Sequence, residues 1–310
     1  MNNKAKILLF GTGAVGSYYG SILARGGASV SAVCRSDYDT VKKIGIEIKS
    51  INGDFHFTPE KVYRSADEAE NPYDYIIVAL KALPEIDTVS IIKSAVSENT
   101  AIVILQNGIN VEESIEAAFP ENEIISALAF ICVTRIAHGI IDHQDHGRLA
   151  LGTYPAGISP KVEALINIFR NGGVTADGVE DVIAARWRKL MWNAPFNPLS
   201  VIGGGLDTGI MLGSPLFTDL IRSVMQEVVA LSIADGHPLD YEIIDKTISD
   251  TSKMQPYKTS MLLDYENRRP MEVEVILGNA LKSGKKYGID TPRLKTLYQI
   301  LYMMNEENLK

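Results

Sequence analysis

A cation and two carboxamides recur at four-residue spacing near the middle of the chain: Lys189, Asn193 and Asn197, inside the run 187–200. On an α-helix, positions i, i+4 and i+8 drift by only about 40° per step, so these three side chains share one face. The rest of the run is apolar, with Leu190, Met191, Trp192, Phe196 and Leu199. A buried amide or ammonium without partners is costly, roughly several kcal/mol. The stripe is therefore either a satisfied structural network or the polar lining of a ligand pocket. Pro195 and Pro198 interrupt the same helix. Pro195 lacks the N–H that would bond to Met191, which predicts a kink between the asparagines.

A second group of residues lies at the start of the chain. An apolar strand over 7–10 is followed by Gly11-Thr12-Gly13-Ala14-Val15-Gly16 and then by a helix. Gly11 permits a tight turn, Gly13 lets the backbone approach a pyrophosphate, and Gly16 allows close helix–strand packing. The helix start adds free N–H groups and the positive end of its dipole. The alternative is a glycine-rich turn that binds nothing. The next strand, 28–34, ends in Arg35 and Ser36. A site for NAD usually places a carboxylate there for the ribose 2′-hydroxyl. A guanidinium pairs instead with a 2′-phosphate, so NADP(H) is expected over NAD(H). A solvated loop arginine is the alternative, with Asp37 nearby as an acidic rival. Two further apolar runs, 75–80 and 101–105, lead into Lys81 and into Gln106-Asn107-Gly108. Ligands of open α/β sheets bind beyond the carboxyl ends of strands, which is where Lys81 and Asn107 stand. A snorkelling lysine and a turn asparagine are the plain alternatives.

The bulk properties bound these readings. At 310 residues the chain can form one large or two ordinary domains, and 46% hydrophobic with 22% charged residues is a globular profile. No apolar run is long enough to span a membrane, and the first apolar stretch is too short for a signal-peptide core. A cytoplasmic protein is expected. A net charge of −8 without a long basic run argues against nucleic acid. Cys34 and Cys132 are too few for a disulfide framework and lack metal-ligand spacing. His138, His143 and His146 cluster with Asp142 and Asp145. Gln144, Asp145 and Gly147 are ordinary turn residues, so a polar turn and no metal is expected there.

The elements needed to position these residues divide at about residue 180. A hairpin with a two-residue turn at Asn52-Gly53 is expected over 46–58. Another apolar run spans 123–135, and 139–152 reads as two strands around the polar turn. An amphipathic helix over 159–170 stops at Asn171-Gly172-Gly173, and a strand follows over 174–179. Beyond it only helices are expected, over 181–202, 215–235, 240–252, 257–267, 271–287 and 292–307. The fold class is α/β: a Rossmann-like dinucleotide-binding domain over 1–179 and an all-helical domain over 180–310. Ser260 sits where a hydroxyl would cap a helix, and Glu272 in a first turn, where the dipole favours a carboxylate.

With these landmarks the chain resembles the ketopantoate reductases (2-dehydropantoate 2-reductases) over essentially its whole length. The resemblance is carried by the glycine loop 11–16, Arg35, Leu80-Lys81-Ala82, Gln106-Asn107-Gly108, Trp187-Arg188-Lys189-Leu190, Asn193, Asn197-Pro198-Leu199, Ser260-Met261 and Glu272. It implies that Lys189 is the catalytic acid and that Glu272 contributes to the active site. It further implies that Asn193, Asn197 and Ser260 bind the keto acid, that Asn107 sits between cofactor and substrate, and that Lys81 lies by the cofactor. The implied reaction is NADPH-dependent reduction of 2-dehydropantoate to (R)-pantoate, on the route to pantothenate and coenzyme A. The partner is then a small 2-keto acid, and a homodimer is compatible with the sequence. Two departures stand out: Asp207 falls near the place of a further asparagine, and Pro195 is unusual. A 2-hydroxy-acid dehydrogenase for a different keto acid and a non-catalytic NADP sensor are the competing functions.

Overall fold

The computed structural model describes residues 4–310. It separates into two compact units. Unit 1 comprises residues up to Lys81, Glu85–Gln106 and Val111–Val182, and unit 2 comprises Ala82–Pro84, Asn107–Asn110 and Ile183–Lys310. Two short pieces of the N-terminal half thus belong to the helical unit.

Unit 1 is a ten-stranded sheet. Its strands are β1 (Lys6–Phe10), β2 (Ser29–Val33), β3 (Ile46–Ser50), β4 (Phe55–Phe57), β5 (Val62–Tyr63), β6 (Tyr75–Val78), β7 (Ala101–Ile104), β8 (Ile124–Ala137), β9 (Ile140–Thr153) and β10 (Ala176–Gly178). Its helices are α1 (Ala14–Arg25), α2 (Tyr38–Ile44), α3 (Thr88–Ile92), α4 (Glu113–Ala118) and α5 (Pro160–Asn171). Strands β5, β2, β1, β6, β7 and β8 lie side by side in parallel. The central strands read as continuous apolar runs because both of their faces are covered. Ile7, Leu9, Tyr75, Ile77, Ala101 and Val103 pack on one face with Tyr19, Ile22 and Leu23 of α1 and Leu165 and Phe169 of α5. Their neighbours Leu8, Phe10, Ile76, Val78, Ile102 and Ile104 pack on the other with Ile92 and Ile115. Strand β1 has β2 on one side and β6 on the other, so the strand order reverses at β1. The loop leaving its carboxyl end stands at that switch point, the usual ligand position in such sheets.

Two local expectations are corrected. The hairpin of β3 and β4 is antiparallel as expected, but its last pair is Ile48↔Phe55. Its loop is longer than two residues because Asp54 turns back and accepts the Ser50 backbone N–H at 2.9 Å. The expected turn around Gln144, Asp145 and Gly147 lies inside β9, which pairs with β8 along its length. The surplus residues are absorbed as β-bulges, with His146 at φ 62° and Gly147 at φ 120°. His143 is buried there, its Nδ1 2.9 Å from the Ser50 hydroxyl and its ring against Tyr18. Burial lowers its pKa. Among the described residues, no three His, Cys, Asp or Glu side chains gather as a metal site.

Unit 2 is helical: α6 (Val182–Ile202), α7 (Thr208–Leu212), α8 (Pro215–Ala234), α9 (Glu242–Ser252), α10 (Ser260–Glu266), α11 (Asn279–Tyr287) and α12 (Pro292–Asn308). The short α7 was not anticipated. Helix α6 runs through both prolines. A mid-helix proline costs about 3 kcal/mol, and here packing opposes it: Trp187, Leu190, Met191, Ala194, Phe196 and Leu199 are all buried in one cluster. The expected α-helix from residue 271 begins instead as a π-helical turn, Glu274–Gly278, that feeds into α11. No described helix is long and apolar enough to cross a membrane.

Candidate active site

In unit 1 the glycine loop is shaped by contacts that leave no room for side chains at two positions. Gly11 has φ +96°, and a Cβ there would lie 2.9 Å from the Ala79 carbonyl. A Cβ on Gly16 would lie 2.0 Å from the Gly11 carbonyl oxygen. Gly13 differs, since a Cβ there would meet nothing within 4 Å. The space over its backbone is open, as a bound pyrophosphate requires. Ala14 and Val15 open α1 and are partly buried. The buried Thr12 hydroxyl donates to Asp37 Oδ1 at 2.9 Å, fastening the loop to the end of β2. Asp37 is 3% exposed, while Arg35 is exposed. Asp37 Oδ1 is thereby engaged by the loop, while its Oδ2 is buried without a hydrogen-bond partner, 3.8 Å from Arg135 Nη1. Lys81 is partly buried and stands three residues beyond β6.

In unit 2 four separate stretches of chain join in one hydrogen-bonded network. Lys189 Nζ donates to Asn107 Oδ1 at 2.7 Å, and Asn107 Nδ2 donates to Glu272 Oε2 at 3.1 Å. The other Glu272 oxygen accepts the Ala82 backbone N–H at 3.0 Å. Glu272 thus stands just ahead of its helical turn and serves this network, where a first-turn dipole partner was expected. The Lys189 pKa is lowered from 10.5 to about 7, chiefly by burial. The nearby Arg186 charge contributes to that lowering, and the Glu272 carboxylate opposes it. Near neutral pH about half of such ammonium groups carry their proton, which suits a residue that must both hold and release it.

The other stripe residues are placed less uniformly. Asn193 and Asn197 are 8% and 2% exposed. The Asn197 Oδ1 is buried without a hydrogen-bond partner. Such an orphaned acceptor costs about 1–3 kcal/mol, so a ligand donor would relieve it. Ser260 is the exposed first residue of α10 and does not cap it. The cap is Thr259, whose hydroxyl accepts the Leu262 N–H at 3.2 Å and lies 2.6 Å from the Ser200 hydroxyl. Asp207 caps α7, accepting the Ile210 N–H at 2.8 Å. Its carboxylate is occupied by its own helix end.

Sequence reasoning missed Arg186. It is 4% exposed, and its Nη1 donates to the Gly108 carbonyl at 3.0 Å. The available signal was its i, i+3 spacing from Lys189, which puts both on one side of α6.

Known proteins share this arrangement of elements. The family model described as ketopantoate reductase PanE/ApbA matches residues 7–156, and the model of its C-terminal part matches residues 181–305. A 2-dehydropantoate 2-reductase of Nostoc sp. is 34% identical over 312 residues, covering 99% of this chain and 97% of that protein. The crystal structure of 2-dehydropantoate 2-reductase from Methylococcus capsulatus superposes with a TM-score of 0.93 at 46% identity, over 98% of each chain. A D-mandelate dehydrogenase in a ternary structure with NADH and anilino(oxo)acetate shares the fold at TM-score 0.89 and 21% identity, over 98% of this chain and 99% of its own.

Proposed function

The chain belongs to the ketopantoate reductase family, and from that premise we propose that it reduces 2-dehydropantoate to (R)-pantoate with NADPH, Lys189 acting as general acid. The observation that carries this reading is the Lys189 ammonium, held 2.7 Å from Asn107 and brought to a pKa of about 7. A ketone oxygen gaining negative charge is stabilised by a nearby cation and quenched by its proton. Asn107 accepts one Lys189 N–H and so aims the others, and Glu272 fixes the carboxamide through its N–H. Asn193, Asn197 and Ser260 bind the substrate's polar oxygens and hydroxyl, the orphaned Asn197 acceptor taking a substrate donor. Proton transfer of this kind is worth roughly 10²–10⁴ in rate.

The residues present suit a dinucleotide. The open space over Gly13, between two glycines that tolerate no side chain, is a cradle for the pyrophosphate. The nicotinamide, when bound, supplies the hydride for the keto carbon. Arg35, exposed just beyond the end of β2, holds the 2′-phosphate. Lys81 and Asn107 belong on the cofactor side in this reading. Cys34 and Cys132 are buried and form no disulfide, which accords with a cytoplasmic setting.

The test is consumption of NADPH and of NADH with a panel of 2-keto acids. Ketopantoate with NADPH is expected to be fastest. Faster turnover of phenylglyoxylate would transfer the chain to a dehydrogenase of bulkier 2-hydroxy acids. Tight NADPH binding without oxidation by any keto acid would make it a sensor. Equal rates with both nucleotides would remove the role given to Arg35.

A further inference from the structure

The buried guanidinium of Arg186 neither gives nor takes a proton in the reaction described above, yet it touches the turn that carries Asn107. That turn is pinned from several directions within unit 2. Arg186 donates to the Gly108 carbonyl at 3.0 Å, and the Ile109 N–H reaches the Val275 carbonyl at 3.3 Å. Asn279 Nδ2 donates to the Ile109 carbonyl at 2.8 Å. Gly108 has φ +92°, and a Cβ on it would lie 2.5 Å from the Val275 carbonyl oxygen, so the turn is pressed onto the π-helical segment. Arg186 and Lys189 leave α6 three residues apart and grip adjacent residues, one the Gly108 carbonyl and the other the Asn107 side chain.

We infer that Arg186 is a positioning residue for the reaction: its guanidinium clamps the Asn107–Gly108 turn against α6, so that the Asn107 carboxamide stays bridged between Lys189 and Glu272. This rests on the reading of Lys189 as proton donor. A neutral donor could supply the hydrogen bond alone, and the charge adds a second effect. Two charges bear on the Lys189 ammonium, Arg186 from its own helix and Glu272 from the segment ahead of the π turn, and they act in opposite senses. Burying a cation beside the lysine is costly in itself. It also discourages the protonated form, making Lys189 readier to give up its proton near neutral pH.

Two variants separate the hydrogen bond from the charge. Arg186→Gln loses the charge and falls two atoms short of the Gly108 carbonyl, while Arg186→Lys retains the charge and falls one atom short. Lys189 titration is followed by the Cε resonance of 13C-labelled lysine in the apo protein, assigned with Lys189→Met, and kcat/KM for ketone reduction is followed against pH. In Arg186→Gln the Lys189 midpoint and the alkaline limb are expected to rise together by about half a unit or more. In Arg186→Lys both are expected to stay near the wild-type position, while kcat falls about tenfold from a loosened turn. A Lys189 midpoint unmoved in the folded Gln variant, or kcat unaltered in both, overturns the inference. If Lys189→Met itself retains turnover, the proposed proton donor has failed, an outcome distinguishable because the NMR midpoint does not depend on catalysis.

Discussion

The glycine loop of unit 1 and the lysine site of unit 2 are built in opposite ways. The loop is nearly self-contained: Gly16 is pressed against the Gly11 carbonyl five residues before it, with Ala79 as backstop. The lysine site depends on chain segments far apart, Ala82 meeting Glu272 and Asn107 meeting both Glu272 and Lys189. A binding loop can be specified locally because the ligand reads backbone N–H groups, which every residue carries. A proton donor with a tuned pKa needs burial and opposing charges, and only tertiary structure can supply them.

That contrast can be broken at either end. Lys189→Ala should have the largest effect, lowering kcat/KM roughly 10²–10⁴-fold with NADPH affinity nearly unchanged by calorimetry. Turnover within a few-fold of wild type would remove the lysine from the chemistry. Gly13→Ala should act on the loop alone. Its backbone, at φ −68° and ψ −171°, suits alanine, and the new methyl meets no protein atom within 4 Å. Thermal stability of the apo protein should be retained while NADPH binding weakens by about tenfold or more. Unaltered binding would mean that the open space over Gly13 is not the pyrophosphate cradle.

How much of this was legible in the sequence follows the same division. The loop, the parallel strands and the fold class could be read because glycine spacing and continuous apolar runs are local signals. The long pairing of β8 and β9 could not, since Gln144, Asp145 and Gly147 are turn residues by type and become bulges only because β8 lies opposite. The stripe of Lys189, Asn193 and Asn197 was visible as spacing, whereas its link to Asn107 spans 82 residues and no periodicity encodes it. Arg186 passed unnoticed because a helix arginine reads as surface charge until its burial is known.

Two smaller effects sharpen the picture. With Lys189 titrating at about 7, its protonated form prevails below that pH and is lost above it. Reduction should therefore decline as pH rises through about 7, and hydroxy-acid oxidation, which needs the neutral amine as base, should rise over the same interval. Initial rates in both directions check this. Matching slopes in the two directions would remove Lys189 as the group observed. Asp207→Ala should cost only about 1 kcal/mol of stability by denaturant unfolding, the usual cost of a lost N-cap, with KM for the keto acid unchanged. A large rise in KM would return Asp207 to the substrate pocket.

The π-helical turn at Glu274–Gly278 has a consequence for lineage and engineering. A π turn is in effect an α-helix holding one residue more than regular winding allows. Deleting that residue would let the segment rewind as an ordinary helix, gaining regular backbone bonds. Everything ahead of it would then rotate by about 100°, and Glu272 would swing away from Asn107. A more regular helix would emerge without its carboxylate in place, and the buried Met271 and Val273 would turn with it. Variants one residue shorter here are thus expected to turn over poorly, because the regular winding cannot hold Glu272 against Asn107.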